Sequence, residues 1–313
     1  MKPLVIISGP TAAGKTKISI ELAKRIKGEI ISADSMQVYK YMDIGSAKIT
    51  EEEKEGIPHH LIDVLDPASE FNVATFQALA KNSINDILSR GRIPIVVGGT
   101  GFYIRALLYD TDFSESSGEI SDIRSRLEEE ARTKGPDFLF ERLRAVDPES
   151  CEIIHKNNIK RVIRALEFYE ETGEKISTHN ETMHERPSPY DFAYFVLTKD
   201  REKLYADIDK RVDIMLENGL LDEVRHLKEM GLSRENTSMQ GLGYKEILDH
   251  LDGQLSLEEA VYIIKRDTRH FAKRQLTWFR REKEVIMINK SEYANDEAIL
   301  EMMTDVLKQK EIL

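Results

Sequence analysis

The stretch Leu4-Val5-Ile6-Ile7-Ser8-Gly9-Pro10-Thr11-Ala12-Ala13-Gly14-Lys15-Thr16 decides the fold. A short apolar run ending at Ser8 reads as a buried strand. Gly9 to Thr16 fits G-x-x-x-x-G-K-[ST], and a helical pattern opens at Lys15 with Ile18, Leu22 and Ile26 four apart. In a strand–loop–helix setting, the backbone N–H groups of such a loop converge on a phosphate, and the helix dipole adds to them. Lys15 would reach the outer phosphate oxygens, and the Thr16 hydroxyl would ligate Mg²⁺. The motif speaks for a diphosphate or triphosphate without singling out ATP. The plainer alternative is a Gly-rich turn.

Outward from that loop, residues 29–33, 59–64 and 93–97 read as further strands. Residues 72–90 read as a helix, capped by Asn72 and closed by Gly91. Alternation of this kind, with continuous apolar strands, predicts an α/β fold: a P-loop core whose parallel sheet carries helices on both faces. After Asp112 the texture changes. Residues 114–118 are turn-like, and only helical patterns follow at 123–133, 136–145, 148–154 and 159–170. Residues 177–189, with Pro187 and Pro189, read as a loop. A strand returns at 190–197. The expected organisation is a core of 1–112 and 191–313, interrupted by a helical insertion domain at 113–190. The remainder reads as helical, notably 212–216, 221–230 and 257–282, with one late strand at 285–288.

The chain has 313 residues, room for two domains at about 150 residues each. With 41% hydrophobic and 32% charged residues it is a globular composition, not a disordered one. Its single cysteine, Cys151, excludes an intrachain disulfide framework and a multi-cysteine zinc site. No apolar run approaches the roughly 18 residues of a membrane span, and the early run is too short for a signal-peptide core. A cytoplasmic protein is expected.

The net charge of −11 argues against diffuse binding to a polyanion. Two stretches are locally basic all the same. Lys265, Arg266, Arg269, Lys273, Arg274, Arg280, Arg281 and Lys283 face only Asp267 and Glu282. Lys156, Lys160, Arg161 and Arg164 have no acid among them. Each run can be a solvated helix face or a nucleic-acid contact.

Two loops at the same sheet edge carry candidate chemistry. Asp34, after the second strand, can ligate metal, accept a proton or cap the next turn. Strand 93–97 ends in Gly98-Gly99-Thr100-Gly101, with no carboxylate where a P-loop ATPase or kinase holds its Mg²⁺ and water. That counts against hydrolysis. Thr100 offers a hydroxyl at the strand's carboxyl end, where open α/β sheets bind ligands, or is a turn residue.

Taken together the motifs resemble the tRNA dimethylallyltransferase family, of the bacterial type. They are Gly9–Thr16, Asp34-Ser35-Met36-Gln37-Val38-Tyr39, Met42-Asp43-Ile44-Gly45-Ser46-Ala47-Lys48, His59-His60-Leu61-Ile62-Asp63 and Gly98-Gly99-Thr100-Gly101-Phe102-Tyr103. They continue as Arg161-Val162-Ile163-Arg164-Ala165-Leu166-Glu167, Gly241-Leu242-Gly243-Tyr244-Lys245-Glu246 and Thr268 to Arg280. Phe102 stands where Leu is common, and Gln240-Gly241 where a basic residue is frequent.

The resemblance implies transfer of a dimethylallyl group from its diphosphate to the exocyclic amine of the adenine 3′ to the anticodon, position 37, in tRNAs reading codons that start with U. The phosphate loop would then hold a leaving group, with Lys15 and Mg²⁺ on Thr16 neutralising it. Arg211 matches the family's distal diphosphate-binding arginine; its own context reads as a surface helix residue. Asp34 is the expected base, and Thr100 would hold a diphosphate oxygen or help position the reacting groups. Asp34, Ser35, Met36, Gln37, Thr100, Arg124, Lys160, Arg161, Val162, Ile163, Arg164, Gln240, Gly241, Leu242, Gly243, Tyr244 and Lys245 would line the tRNA side. The insertion would close over the anticodon stem-loop, and the adenine would be flipped out to react. The 263–283 segment would touch phosphates, with Phe271, Trp278 and Phe279 packing inward. A monomer with no membrane partner is expected. Competing readings are a P-loop kinase of a nucleotide or small metabolite, a nucleotide-loaded RNA-binding switch, and an adenylate isopentenyltransferase.

Overall fold

The computed structural model describes residues 1–111 and 122–313. They form two compact units, Met1–Leu108 with Pro189–Leu313, and Tyr109–Ser188. The turn-like stretch expected at 114–118 lies outside the described residues.

The first unit opens with β1 (Lys2–Ser8), the phosphate-loop sequence and α1 (Lys15–Ile26). Then come β2 (Gly28–Ser32), β3 (His59–His60), α2 (Val73–Ser89), β4 (Ile93–Gly98) and α3 (Gly101–Leu108). Asn72 caps α2, its side chain accepting the Thr75 N–H at 3.0 Å. β3 is far shorter than the strand expected at 59–64. Leu61 and Asp63 adopt left-handed backbone, φ 63° and 55°, which a strand does not accommodate. Beyond them Val64 and Leu65 both donate their N–H to the Val38 carbonyl at 3.0 Å, so the chain turns toward the 38 loop.

The second unit is helical: α4 (Asp122–Lys134), α5 (Pro136–Val146), α6 (Pro148–Ile153), α7 (Ile159–Thr172) and α8 (Ile176–Glu185). Its core gathers Leu127, Leu139, Leu143, Val162 and Leu166. Helix α8 replaces the loop expected at 177–189. Its polar sequence carries no apolar stripe to announce it, and the anchor is a hydrogen-bond cluster. Buried Asp147 caps α6 through the Ser150 N–H (3.1 Å), and its carboxylate also accepts the Ser177 N–H (3.1 Å) and hydroxyl (2.7 Å). Burial would raise its pKa, but these bonds hold it below the usual carboxylate range.

The first unit resumes with β5 (Tyr190–Thr198), α9 (Arg201–Glu217), α10 (Leu220–Glu229), α11 (Tyr244–Leu251), α12 (Leu257–Phe279), β6 (Val285–Asn289) and α13 (Asp296–Gln309). The sheet has six parallel strands in the order β3-β2-β4-β1-β5-β6. Side chains alternate across it. Val5, Ile7, Ile95 and Phe195 meet Ile18 and Leu22 of α1 and Leu300, Met303 and Leu307 of α13. Leu4, Ile6 and Val96, on the opposite pleat, are equally buried, and α2 packs against β2 and β4. Helices therefore cover both faces, which is why the strand sequences are apolar without alternation.

Because every strand runs the same way, the loops after β1, β2 and β4 leave from one edge. Ser8 stands opposite Gly98, and Ser32 opposite Val97. Among the described residues no helix is long and apolar enough to cross a membrane.

Candidate functional site

The phosphate-loop sequence leaves β1 through a tight gap. Ser8 Oγ donates to the Gly98 carbonyl at 2.7 Å. Gly9 has φ 142°, and a Cβ there would run into the Leu197 carbonyl oxygen of β5. Ala12 (φ 62°) and Gly14 (φ 83°) are both left-handed, which curls the backbone into the concave form that binds anions. Lys15 starts α1 and arches back, its Nζ donating to the carbonyls of Gly9 (3.0 Å) and Pro10 (2.9 Å). Thr16 follows with its side chain exposed in the first turn.

Burial, and then the Arg211 cation, lower the Lys15 pKa to about 8, against the pull of the Asp34 carboxylate. Lys15 thus lies within reach of both the Arg211 cation and the Asp34 carboxylate. Arg211 is not the surface residue that its helical context suggests. It is half-buried, and its Nη1 lies 3.5 Å from the Thr11 hydroxyl. Burial lowers its pKa while Asp207 and Glu53 oppose.

Asp34 directly follows β2. Its Oδ1 accepts the N–H groups of Met36 (2.8 Å) and Gln37 (3.3 Å), so the turn-forming role is real. Its Oδ2 makes no hydrogen bond among the described residues. Thr100 donates its N–H to the Ala33 carbonyl (3.3 Å), and its own carbonyl accepts from Tyr103 (3.0 Å), opening α3. A Cβ at Gly98 would strike the Ala33 carbonyl, so the two loops touch backbone to backbone.

Segments 34–37 and 240–245 meet. A Cβ at Gly241 would stand 2.8 Å from Met36 Sδ, and one at Gly45 would enter the Tyr244 ring. Gln37 spends its amide internally, accepting from Ser32 Oγ (3.0 Å) and donating to the carbonyls of Ser46 and Ala47 (both 3.3 Å). Tyr244 corrects the sequence expectation. Its side chain is fully buried and donates to Glu223 at 2.8 Å, so it shapes the segment from within and cannot line an RNA surface. Gln240 is exposed and donates to the Arg234 carbonyl (3.3 Å), while Lys245 lies 3.4 Å from Glu246. Ser35, Leu242 and Gly243 share these loops.

In the helical unit Lys160 and Arg161 are exposed at the start of α7. Val162 and Ile163 point into that unit's core, which again removes them from a contact surface. Arg124 and Arg164 converge on the buried carboxylate of Glu167, Arg164 at 3.1 Å.

The basic run is less free than its sequence suggests. Lys265 pairs with Asp213 (2.6 Å), Arg266 with Asp267 (2.7 Å), and Arg269 with Asp209. Lys273, Arg274, Arg280 and Arg281 have no carboxylate partner among the described residues. Phe279 is buried as expected, and Trp278 packs on Gly101 with the Arg105 guanidinium 4.1 Å above its ring. Phe271 departs from expectation: it stays exposed beside Arg274.

Three residues escape sequence reasoning. Gln275 bridges two loops of the site, accepting from Thr11 N–H (3.1 Å) and donating to the Gly99 carbonyl (2.9 Å). Glu223 gathers the N–H groups of Asp43, Ile44 and Gly45. Lys290, paired with Asp296 at 2.8 Å, brings its Nζ beside Gly14. Gln275 lies within the Thr268 to Arg280 motif, but nothing in that motif marks its role, and Glu223 and Lys290 lie in no motif; only partners distant in the chain reveal what the three do.

The chain is similar to known proteins along its whole length. A family model described as IPP transferase matches residues 37–282, and one described as Isopentenyl transferase matches residues 2–66. A tRNA dimethylallyltransferase of Lachnoclostridium phytofermentans is 58% identical over 313 residues, all of both chains. One from Acetivibrio thermocellus is 55% identical, covering 96% of each. The solved tRNA isopentenylpyrophosphate transferase of Bacillus halodurans is 45% identical with a TM-score of 0.75, covering 99% of this chain and 97% of that one. A eukaryotic dimethylallyltransferase solved acting on tRNA is 31% identical with a TM-score of 0.82, covering 99% of this chain and 80% of its own.

Proposed function

The chain belongs to the IPP transferase family, and on that premise we propose that it transfers the dimethylallyl group of dimethylallyl diphosphate to N6 of an adenine in tRNA, giving N6-isopentenyladenosine. The acceptor is the adenine at position 37, 3′ to the anticodon, in tRNAs that read codons starting with U. The observation that carries this reading is geometric: Arg211 reaches Thr11 of the phosphate loop at 3.5 Å, and the Gly98 turn lies against Ala33, which Asp34 follows. An anion-binding cradle and a carboxylate share one sheet edge.

In the reaction the allylic carbon–oxygen bond breaks, and its electron pair leaves with the diphosphate. The N6 lone pair forms the new carbon–nitrogen bond, and the amine loses one proton. Lys15, Arg211 and the loop N–H groups hold the departing charge, where fixed dipoles and cations do the most for the transition state. Asp34 Oδ2 accepts the amine's hydrogen bond and then its proton, while Oδ1 stays anchored to the Met36 and Gln37 N–H groups. Thr100, in the adjoining loop, positions the reacting groups.

Mg²⁺ fits the donor chemistry. The exposed Thr16 hydroxyl follows the loop lysine, and Mg²⁺ characteristically combines few protein oxygens with substrate phosphates. When bound it supplies further charge neutralisation on the diphosphate. A stacked base cannot reach a buried carbon, so the adenine turns out of the anticodon loop to react. The helical unit, through Arg124, Lys160, Arg161 and Arg164, is the proposed grip on the stem-loop.

The test is direct. The protein, Mg²⁺, dimethylallyl diphosphate and an anticodon stem-loop are incubated, and the RNA is weighed for one added five-carbon unit. Unmodified RNA, with ATP consumed only when a small acceptor is supplied, would instead establish the kinase reading.

A further inference from the structure

Gln275 sits on α12 between Ala272 and Phe279, both wholly buried, at a place where helical spacing calls for an apolar residue. It is itself only 7% exposed. A buried amide is costly unless both its ends are hydrogen-bonded. Here both are, and each end serves a different loop. Oε1 accepts the Thr11 N–H at 3.1 Å, within the phosphate loop. Nε2 donates to the Gly99 carbonyl at 2.9 Å, in the turn that carries Thr100.

The linkage runs further. The Thr100 N–H donates to the Ala33 carbonyl at 3.3 Å, and Ala33 immediately precedes Asp34. Thr11 also lies against Arg211 through its hydroxyl. One side chain therefore joins the loop that holds the leaving group to the loops that carry the positioning hydroxyl and the base. The bridge leaves no slack, because a Cβ at Gly99 would collide with Gln275 Nε2. A charged residue would not join the two loops: a carboxylate cannot donate to Gly99, and an ammonium cannot accept from Thr11. An amide of this length satisfies both.

We propose that Gln275 is a positioning residue for group transfer: it sets the separation between the phosphate loop and the Thr100 turn, and so the distance from the allylic carbon to the attacking amine. The proposal rests on the transferase reading above. Gln275 touches neither substrate; it acts through the loops it ties. Errors of about 1 Å in such alignment cost on the order of 10²-fold in rate.

The experiment compares the wild type with Gln275→Met, which keeps length and loses both bonds, and Gln275→Glu, which keeps the acceptor and loses the donor. Steady-state transfer is measured with dimethylallyl diphosphate and an anticodon stem-loop, below the unfolding temperature of each variant. Exchange of the Thr11 amide hydrogen and affinity for inorganic pyrophosphate are followed alongside. Gln275→Met should lower kcat by about 10²-fold, with the KM for RNA within about two-fold, and expose the Thr11 amide to exchange. Gln275→Glu should leave that amide protected and still lose kcat, which a purely structural role would not produce. A kcat within two-fold of wild type in either folded variant overturns the proposal; if Gln275→Met does not fold, Gln275→Glu decides alone. A wild type that modifies no RNA overturns the transferase reading instead. The bridge is then judged separately: it stands if Gln275→Met weakens pyrophosphate binding and exposes the Thr11 amide, and falls if neither changes.

Discussion

Tyr244 donates its hydroxyl to Glu223 at 2.8 Å, and the same carboxylate collects the backbone N–H groups of Asp43, Ile44 and Gly45 at 2.7 to 3.0 Å. One acid from α10 thereby pins the loop that follows Asp34 to the start of α11. Burial, then the Glu223 charge, push the Tyr244 pKa well above its ordinary value, so the phenol remains a donor throughout the working pH range. Tyr244→Phe removes one bond and should cost about 1 kcal/mol; Glu223→Ala orphans four donors and should cost about 3 kcal/mol or more. Urea unfolding of the two variants measures this order. Equal, sub-kilocalorie losses would mean that water replaces the carboxylate freely.

Lys15 gives the site a pH signature. Its free pKa stands near 8, and a bound diphosphate raises it by adding negative charge. Below pH 8 the lysine is protonated with or without ligand, so affinity for pyrophosphate owes nothing to its titration. Above pH 8 binding must take up a proton, and affinity should fall by up to about tenfold per pH unit until the bound pKa is reached. Titration calorimetry in two buffers of different ionisation enthalpy reads the proton uptake. Lys15→Met should bind more weakly and lose the step near pH 8; a wild-type step surviving in that variant would assign it to another group.

Asp34→Asn separates the two jobs of Asp34. The amide oxygen can still accept from Met36 and Gln37, so the turn persists, while the basic oxygen is gone. Transfer should fall by about 10²- to 10⁴-fold, with RNA affinity within a few-fold. Retention of wild-type turnover would remove Asp34 from the role of base.

RNA affinity should weaken with salt despite the net charge of −11, because binding depends on local cations. The ion pairs decide which ones. Arg274→Gln and Arg280→Gln should each reduce the slope of log K against log salt by up to about one, the signature of a lost phosphate contact. Arg269→Gln should change it little, since Arg269 already pairs with Asp209. Equal effects at all three positions would mean that the basic run acts as a diffuse field.

Local signals made much of this molecule legible. The apolar run at β1, the glycines at 9 and 14, and the spacing of Ile18, Leu22 and Ile26 announced the opening of the core, since each reports on its own few residues. The cap at Asn72 was readable for the same reason. Failures came where distant partners overrule local preference. Residues 61–64 look like a strand, yet the 38 loop takes their hydrogen bonds. Residues 176–185 look like a loop, yet Asp147 organises their helix from another element. Tyr244, Val162 and Ile163 sit in motifs associated with RNA, and only the packing reveals that their side chains turn inward. The roles of Gln275, inside a quoted motif, and Glu223, outside any, were not readable, because what distinguishes each is which backbone groups it meets.

The wedge of Gly9 against Leu197 carries a consequence for synthesis. The opening strand of the chain is flanked by β4 on one side and by β5, some 190 residues downstream, on the other. A ribosome must therefore deliver some 190 residues beyond β1 before the anion cradle can close. Nascent chains stalled short of β5 should fail to retain pyrophosphate, however faithfully their first hundred residues have folded, because pairings so remote in sequence are among the last to form.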